Sequence, residues 1–183
     1  MTESQYRTHA AEVLRSLYLL GRQATLDAVH QDLRRRGRAL PLSSVERALG
    51  LLRSARALVS SSCPAAQVAP ASYVVYRLVS LSRAAEAVRG THWADPSGSR
   101  WVLWSVDHGG GPGDESDVLR FSLRAVDERG ELRPARRRAT MRELLTGMEV
   151  VEAPPGVVEG TVAALADTHR DRRGGGGGAS AVA

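Results

Sequence analysis

Three residue types are missing altogether from this chain of 183 residues: it has no Lys, no Ile and no Asn. A GC-rich coding sequence explains that pattern more simply than selection at any one site. Every formal positive side-chain charge therefore falls to arginine, and arginine abundance alone says little about function. Cysteine is almost as scarce. The lone Cys63 can neither close an internal disulfide nor build a cysteine-based zinc site, which fits a reducing compartment, and it reads as a small loop residue. Long apolar runs are absent too. No stretch approaches the roughly 18 to 20 residues of a transmembrane helix, and the opening MTESQYRTHAAE is too polar for a secretory signal. The expectation is a cytoplasmic protein with no membrane partner.

Chemistry-bearing patterns are equally thin. The histidines at 9, 30, 92, 108 and 169 are scattered, and no pair has metal-ligand spacing. His108-Gly109-Gly110-Gly111 superficially matches an esterase oxyanion loop, but no G-x-S-x-G nucleophile elbow accompanies it, so the stretch reads as a loop between strands. No catalytic residue, cofactor or metal is expected, and the chain reads as a non-enzyme.

What is present is ordinary globular composition, 43% apolar and 25% charged, with an uneven distribution of charge. Residues 1 to 83 carry 12 Arg against 5 acidic residues, whereas residues 84 to 183 carry 13 against 15. The positive charge sits in the half whose periodicity is helical. Tyr6 to Leu20 reads as a first helix, with Tyr6, Ala10, Val13, Leu14, Leu17 and Leu20 on one stripe, Arg7, Glu12 and Arg15 off it, and Gly21 as the left-handed stop. Thr25 is a fair N-cap for a second helix, Leu26 to Arg36, ended by Gly37.

Ser43 to Glu46 forms an S-x-x-E capping box, and behind it Val45, Ala48, Leu49 and Leu52 share one face, leaving Ser44, Arg47, Leu51 and Ser54 outside. Ala57 to Ser60 and Ser72 to Val79 then read as two strands joined by a polar loop. Three short helices followed by a hairpin make a winged helix-turn-helix. Arg34, Arg35, Arg36 and Arg38 exceed what a helix C-terminus needs, so they are expected to meet a phosphate strand. Arg47 is placed to read a base edge beside Ser43 and Ser44, and Arg77 on the returning strand is placed for phosphate or minor groove.

The run from Ala24 to Val59 resembles the N-terminal DNA-binding domain of the ferric uptake regulator family, because Ser44, Val45, Glu46, Arg47, Leu49 and Leu52 fall on that family's helix pattern. The match covers about a fifth of the chain, and its apolar skeleton is shared by winged helices generally. It implies a winged helix that binds duplex DNA. Two features depart from the pattern: Glu46 stands where the family has a tyrosine, and nothing after residue 84 supplies the clustered histidines and paired cysteines of the metal-sensing half. Metal-responsive regulation is therefore not carried over.

The second half reads as a small α+β unit. A helix is expected over Leu81 to Arg89, strands over Trp101 to Val106, Val118 to Val126 and Glu131 to Arg133, a helix over Thr140 to Met148, a strand over Glu149 to Glu152 and a last helix over Val157 to Arg170. Trp93, Trp101 and Trp104 read as core or dimer interface. Arg133, Arg136, Arg137 and Arg138 read as a solvated loop that Asp114, Glu115 and Asp117 neutralise within the domain or across a dimer.

The fold class expected is α+β: a winged helix over residues 1–82, a dimerisation or sensing domain over 83–172, and a disordered glycine-rich tail over 173–183. The function expected is a DNA-binding transcriptional regulator acting as a homodimer on double-stranded DNA. The alternative, from another class, is a winged-helix docking module whose partner is a protein in a larger assembly.

Overall fold

The computed structural model describes residues 2–63, 73–107 and 120–154. The described residues form a mixed α+β fold with five helices and two antiparallel sheets. The expected last helix, the tip of the first hairpin, the acidic stretch Asp114 to Asp117, the glycine loop after Asp107 and the tail lie outside them.

Helix α1 (Glu3–Leu19) starts from a capping box in which the Thr2 hydroxyl accepts from the Gln5 amide at 3.4 Å and the Thr2 amide donates to Gln5 Oε1 at 2.9 Å. Ala10, Val13, Leu14 and Leu17 of its apolar stripe are buried as the spacing predicts, while Tyr6 and Leu20 at the ends are only half-buried; Glu12, expected outside that stripe, is only 4% exposed. Gly21 turns the chain at φ +83°, a conformation a side chain resists, and leads into strand β1 (Gln23–Thr25), which had no counterpart in the sequence reading. Three residues are too short for a visible alternation. Thr25 caps helix α2 (Leu26–Arg35), its hydroxyl accepting from the Ala28 amide at 3.2 Å.

Helix α3 (Leu42–Ser54) begins two residues earlier than the capping box implies. Pro41 takes the N-cap position in extended backbone, and its carbonyl accepts from the amides of Ser44 and Val45. Ser43 therefore lies inside the first turn and makes no cap, so the expected S-x-x-E box does not form.

Strands β2 (Leu58–Cys63) and β3 (Tyr73–Leu78) pair antiparallel, and β1 joins on the other side of β3, giving the order β1-β3-β2. Cys63 is thus the last residue of a strand rather than a loop residue. Helix α4 (Leu81–Ala87) leads to the second sheet, built from β4 (His92–Ala94), β5 (Arg100–Asp107), β6 (Arg120–Val126), β7 (Leu132–Thr140) and β8 (Glu149–Val151) in the order β7-β6-β5-β4-β8. Helix α5 (Met141–Gly147) connects β7 to β8 and is capped by a reciprocal Thr140–Glu143 box.

Strand β7 is three times longer than the expected Glu131 to Arg133 segment and absorbs the whole arginine run, so that run is strand and not solvated loop. Cross-strand pairing to β6 supplies the backbone hydrogen bonds that a charged sequence would otherwise find in water.

One apolar core runs across the boundary expected at residue 82. Ala10, Leu14 and Leu17 of α1 belong to the same buried cluster as Leu49 and Leu52 of α3 and as Trp93, Phe121, Leu123 and Leu145 of the second half. Helix α1 is the shared element, packing on α2 and α3 of the first half and also on α4, α5 and β8. A second, small cluster of Val102 and Val126, with Trp104 and Leu132 against it, sits apart from this core.

Candidate nucleic-acid interface

The eight residues singled out from the sequence divide into an exposed set and an inward set. Arg34 and Arg35 are exposed at the end of α2. Arg36 and Arg38 are not available in the same way. Arg36 Nε donates to Asp32 Oδ2 at 3.0 Å, its Nη1 approaches Glu12 Oε2 at 3.4 Å, and Nη2 donates to the Ser16 hydroxyl. Arg38 Nε pairs with Glu12 Oε1 at 2.9 Å, while Nη2 donates to the Val150 carbonyl at 2.8 Å.

Arg36 follows Asp32 by one turn on the inner side of α2, and the turn at Gly37 (φ +75°) swings Arg38 back over α1 where Glu12 is buried. Burial raises the Glu12 carboxyl above its ordinary range, against the opposing pull of Arg38, Arg36 and Arg15. These two arginines therefore tie α2 to α1 and to β8, and the cluster of four expected at a phosphate strand contracts to Arg34 and Arg35.

On α3 the outward face lies one position away from the face expected. Ser43, Glu46, Arg47, Arg53 and Ser54 are exposed, with Gly50 at the centre of the stripe. Ser44 is only 6% exposed, because it stands four residues before Ala48 and shares its inward phase. Leu51 packs against the core edge and is not a free apolar side chain. Ser44 is thus withdrawn from the candidate surface, and Arg53, which the sequence reading passed over, joins it. Arg53 stands 120° round the helix from Arg47 at 100° per residue, with Gly50 between them, so it lies at the edge of the outward stripe.

Arg47 is exposed but held: Nη1 donates to the Tyr6 hydroxyl at 2.7 Å, and the guanidinium stands 5.8 Å from the Tyr6 ring centroid. That contact fixes a flexible side chain at the rim of α3 and lowers the entropy a base or phosphate contact would otherwise cost. Arg77 is exposed on β3, opposite Val59 and Gln23, on the face of the first sheet where both neighbours are also exposed. The structure thus gathers Ser43, Arg47 and Arg53 on one helix face, keeps Arg34, Arg35 and Arg77 exposed on neighbouring elements, and turns Arg36, Arg38 and Ser44 inward. Glu46 is the single carboxylate on α3 and lies on that same outward face.

Among the described residues, no group of three or more His, Cys, Asp or Glu is placed to hold a metal ion, and no helix is long and apolar enough to cross a membrane. An open groove beside the β6–β7 turn is lined by Arg100, Arg129 and Arg133 but also by Asp127 and Glu128, so its charges largely offset one another. No family model, curated protein or solved structure matches the chain.

Proposed function

We propose that the first half is a winged helix that binds duplex DNA, and that the protein is a DNA-binding transcriptional regulator. The observation that carries this reading is the outward stripe of α3, where Arg47 and Arg53 flank Ser43 and Gly50. The element order α1-β1-α2-α3-β2-β3 with a three-stranded β1-β3-β2 sheet supports it, since a winged helix needs a helix pair followed by a hairpin whose exposed strand carries a basic residue, here Arg77. In this reading α3 lies in the major groove, Arg47 reads a base edge, Arg34, Arg35 and Arg53 meet phosphates, and a second copy on a two-fold related site supplies specificity.

A mobility shift on random duplex at rising salt tests it: binding at low salt that weakens steeply with salt supports the reading, and absent or salt-insensitive binding ends it. Arg47→Ala should blunt sequence preference, by about 1 to 3 kcal/mol at one base pair, whereas Arg35→Ala should weaken all duplexes alike. The opposite pattern reverses the two roles.

The second reading, a protein-docking module, draws on Leu42, 41% exposed at the start of α3, beside Glu46. It gains if Leu42→Ser leaves DNA binding untouched and abolishes co-purification of one defined partner.

A further inference from the structure

The arginine run on β7 faces two ways. Cross-strand partners share a face of the sheet, so Phe121 with Ala139 and Leu123 with Arg137 lie toward the helices, where Phe121, Leu123 and Ala139 are buried in the common core. Arg137 there stands 3.6 Å from the Asp95 carboxylate. The other face carries Arg120, Ser122 and Arg124 on β6 opposite Thr140, Arg138 and Arg136 on β7. Arg120, Arg136 and Arg138 are exposed. Arg124 is half-buried with its guanidinium 4.8 Å from the Trp104 ring, which a bulge in β5 lifts out of the regular pairing.

This face is strained in its own right. Arg124 and Arg136 are direct cross-strand partners, and like charges so placed destabilise a sheet. None of the ion pairs among the described residues involves Arg120, Arg124 or Arg136. A row of anions laid along the two strands relieves that repulsion. Arg136 and Arg138 are two residues apart and so roughly 6.8 Å apart along the strand, and Arg120 to Arg124 spans about 14 Å.

We propose that this outward face of the second sheet is a further surface for nucleic acid, and that it holds a duplex segment other than the one bound by α3. The separation follows from the packing: α3 lies against α1, α2, β2 and α4, whereas β6 and β7 lie against each other, β5 and α5, so the two basic faces are built from different elements. The arginine face stands on its own geometry; only the pairing of two segments in one complex rests on the α3 reading. Among the described residues, the exposed large apolar ones, Leu19, Leu42, Val59 and Val74, all belong to the first half, so this face offers no apolar anchor for a bilayer.

The test uses the full chain. A duplex on beads, loaded with protein, is offered a second, fluorescent duplex of random sequence at low salt, and Arg120→Gln/Arg136→Gln/Arg138→Gln is compared with Arg35→Ala/Arg47→Ala/Arg53→Ala. The sheet-face triple should keep binding a single duplex within about threefold and lose capture of the second by tenfold or more. The α3-face triple should retain a weak duplex binding with a salt slope of about 3, one unit for each sheet-face arginine, and combining the two triples should abolish it.

Unchanged capture by the sheet-face triple overturns the proposal, as does binding of this face to acidic vesicles but not to duplex, or occupation by the chain's own Asp114, Glu115 and Asp117, which leaves the salt slope of the α3-face triple unaltered by the added substitutions. If the sheet-face triple alone removes all duplex binding, the α3 reading fails and the sheet assignment stands. Arg136→Gln by itself raises the melting temperature without DNA when repulsion is what it relieves; a lowered melting temperature gives the side chain a structural role instead, and Arg→Lys at all three positions should restore capture.

Discussion

Two runs of four arginines look alike when written out, Arg34 to Arg38 and Arg133 to Arg138, yet the fold uses them in opposite ways. The first run ends a helix at a left-handed glycine, so successive residues leave the helix in different directions, and Arg36 and Arg38 fall back on the buried carboxylate of Glu12. The second run lies on a strand, where direction alternates strictly, so Arg136 and Arg138 share the outward face while Arg137 points to Asp95. A buried acid within reach turns arginines into internal ties. Alternation on a strand turns Arg136 and Arg138 outward even where Asp95 takes Arg137. The comparison teaches that charge clustering in sequence identifies neither an interface nor a solvated loop until the local period and the nearest buried partner are known.

The largest effect is expected from weakening α1, the helix that packs on both halves. Leu14 is fully buried in the core that both halves share, so Leu14→Ala should lower stability by about 2 to 5 kcal/mol and melt both halves in a single transition. Two separate transitions in thermal unfolding, with only one displaced, would mean that the halves are independent units.

Next comes the inward run. Glu12→Ala removes the carboxylate that Arg36 and Arg38 share, at a cost of about 2 to 3 kcal/mol, below the roughly 3 to 5 of a fully buried pair because the Arg38 side chain is 38% exposed. A loss under about 0.5 kcal/mol in urea titrations would make the network ornamental. The same residue has a pH signature. Burial raises its carboxyl above the ordinary 4.5, so the folded state holds this proton more tightly than the unfolded chain, and the Glu12 contribution to stability falls as pH climbs from about 4.5 through the raised value.

Asp95, Asp127 and Glu143 act with the opposite sign. Their carboxyls are held below their ordinary values, first by the Ser97 hydroxyl, the Glu131 amide and the Thr140 amide respectively, so their contribution is present above about pH 4 to 4.5 and is lost on further acidification. Glu12→Gln should flatten the decline above pH 4.5 and leave the acid side unchanged; an unaltered profile of urea midpoints against pH would separate that decline from Glu12.

The smallest effect sharpens the outward side. A Cβ built on Gly50 meets nothing within 4 Å, so Gly50→Ala should stabilise the isolated chain by about 0.5 to 1 kcal/mol through helix propensity alone. If a duplex approaches α3 closely, the same change should weaken DNA binding, and stability and affinity should move in opposite directions. A melting temperature that rises while affinity stays constant would put the groove contact elsewhere on the helix.

Much of the first half was legible because its signals are local. Thr25 as a cap, the left-handed glycines and the buried stripe of α1 depend on neighbours three or four residues away. Ser44 and Arg53 were misassigned because a helix face needs its phase fixed to within one residue, and the Ser43 to Glu46 box suggested a start that Pro41 pre-empts. Strand β1 was missed because a three-residue strand has no period of its own and exists only through its pairing with β3. The length of β7 was missed because its arginines have no apolar alternation beyond Ala139, and only the facing strand β6 makes them a strand.

From the sequence alone came the identities of the five described helices, the strand after Ala57, the alternating face of Phe121 and Leu123, and the imbalance of charge between the halves, since each is written in residues close together in the chain. Tertiary structure alone decided which arginines face outward. That choice depends on where a buried carboxylate such as Glu12 ends up, and its partners lie 24 and 26 positions along the chain.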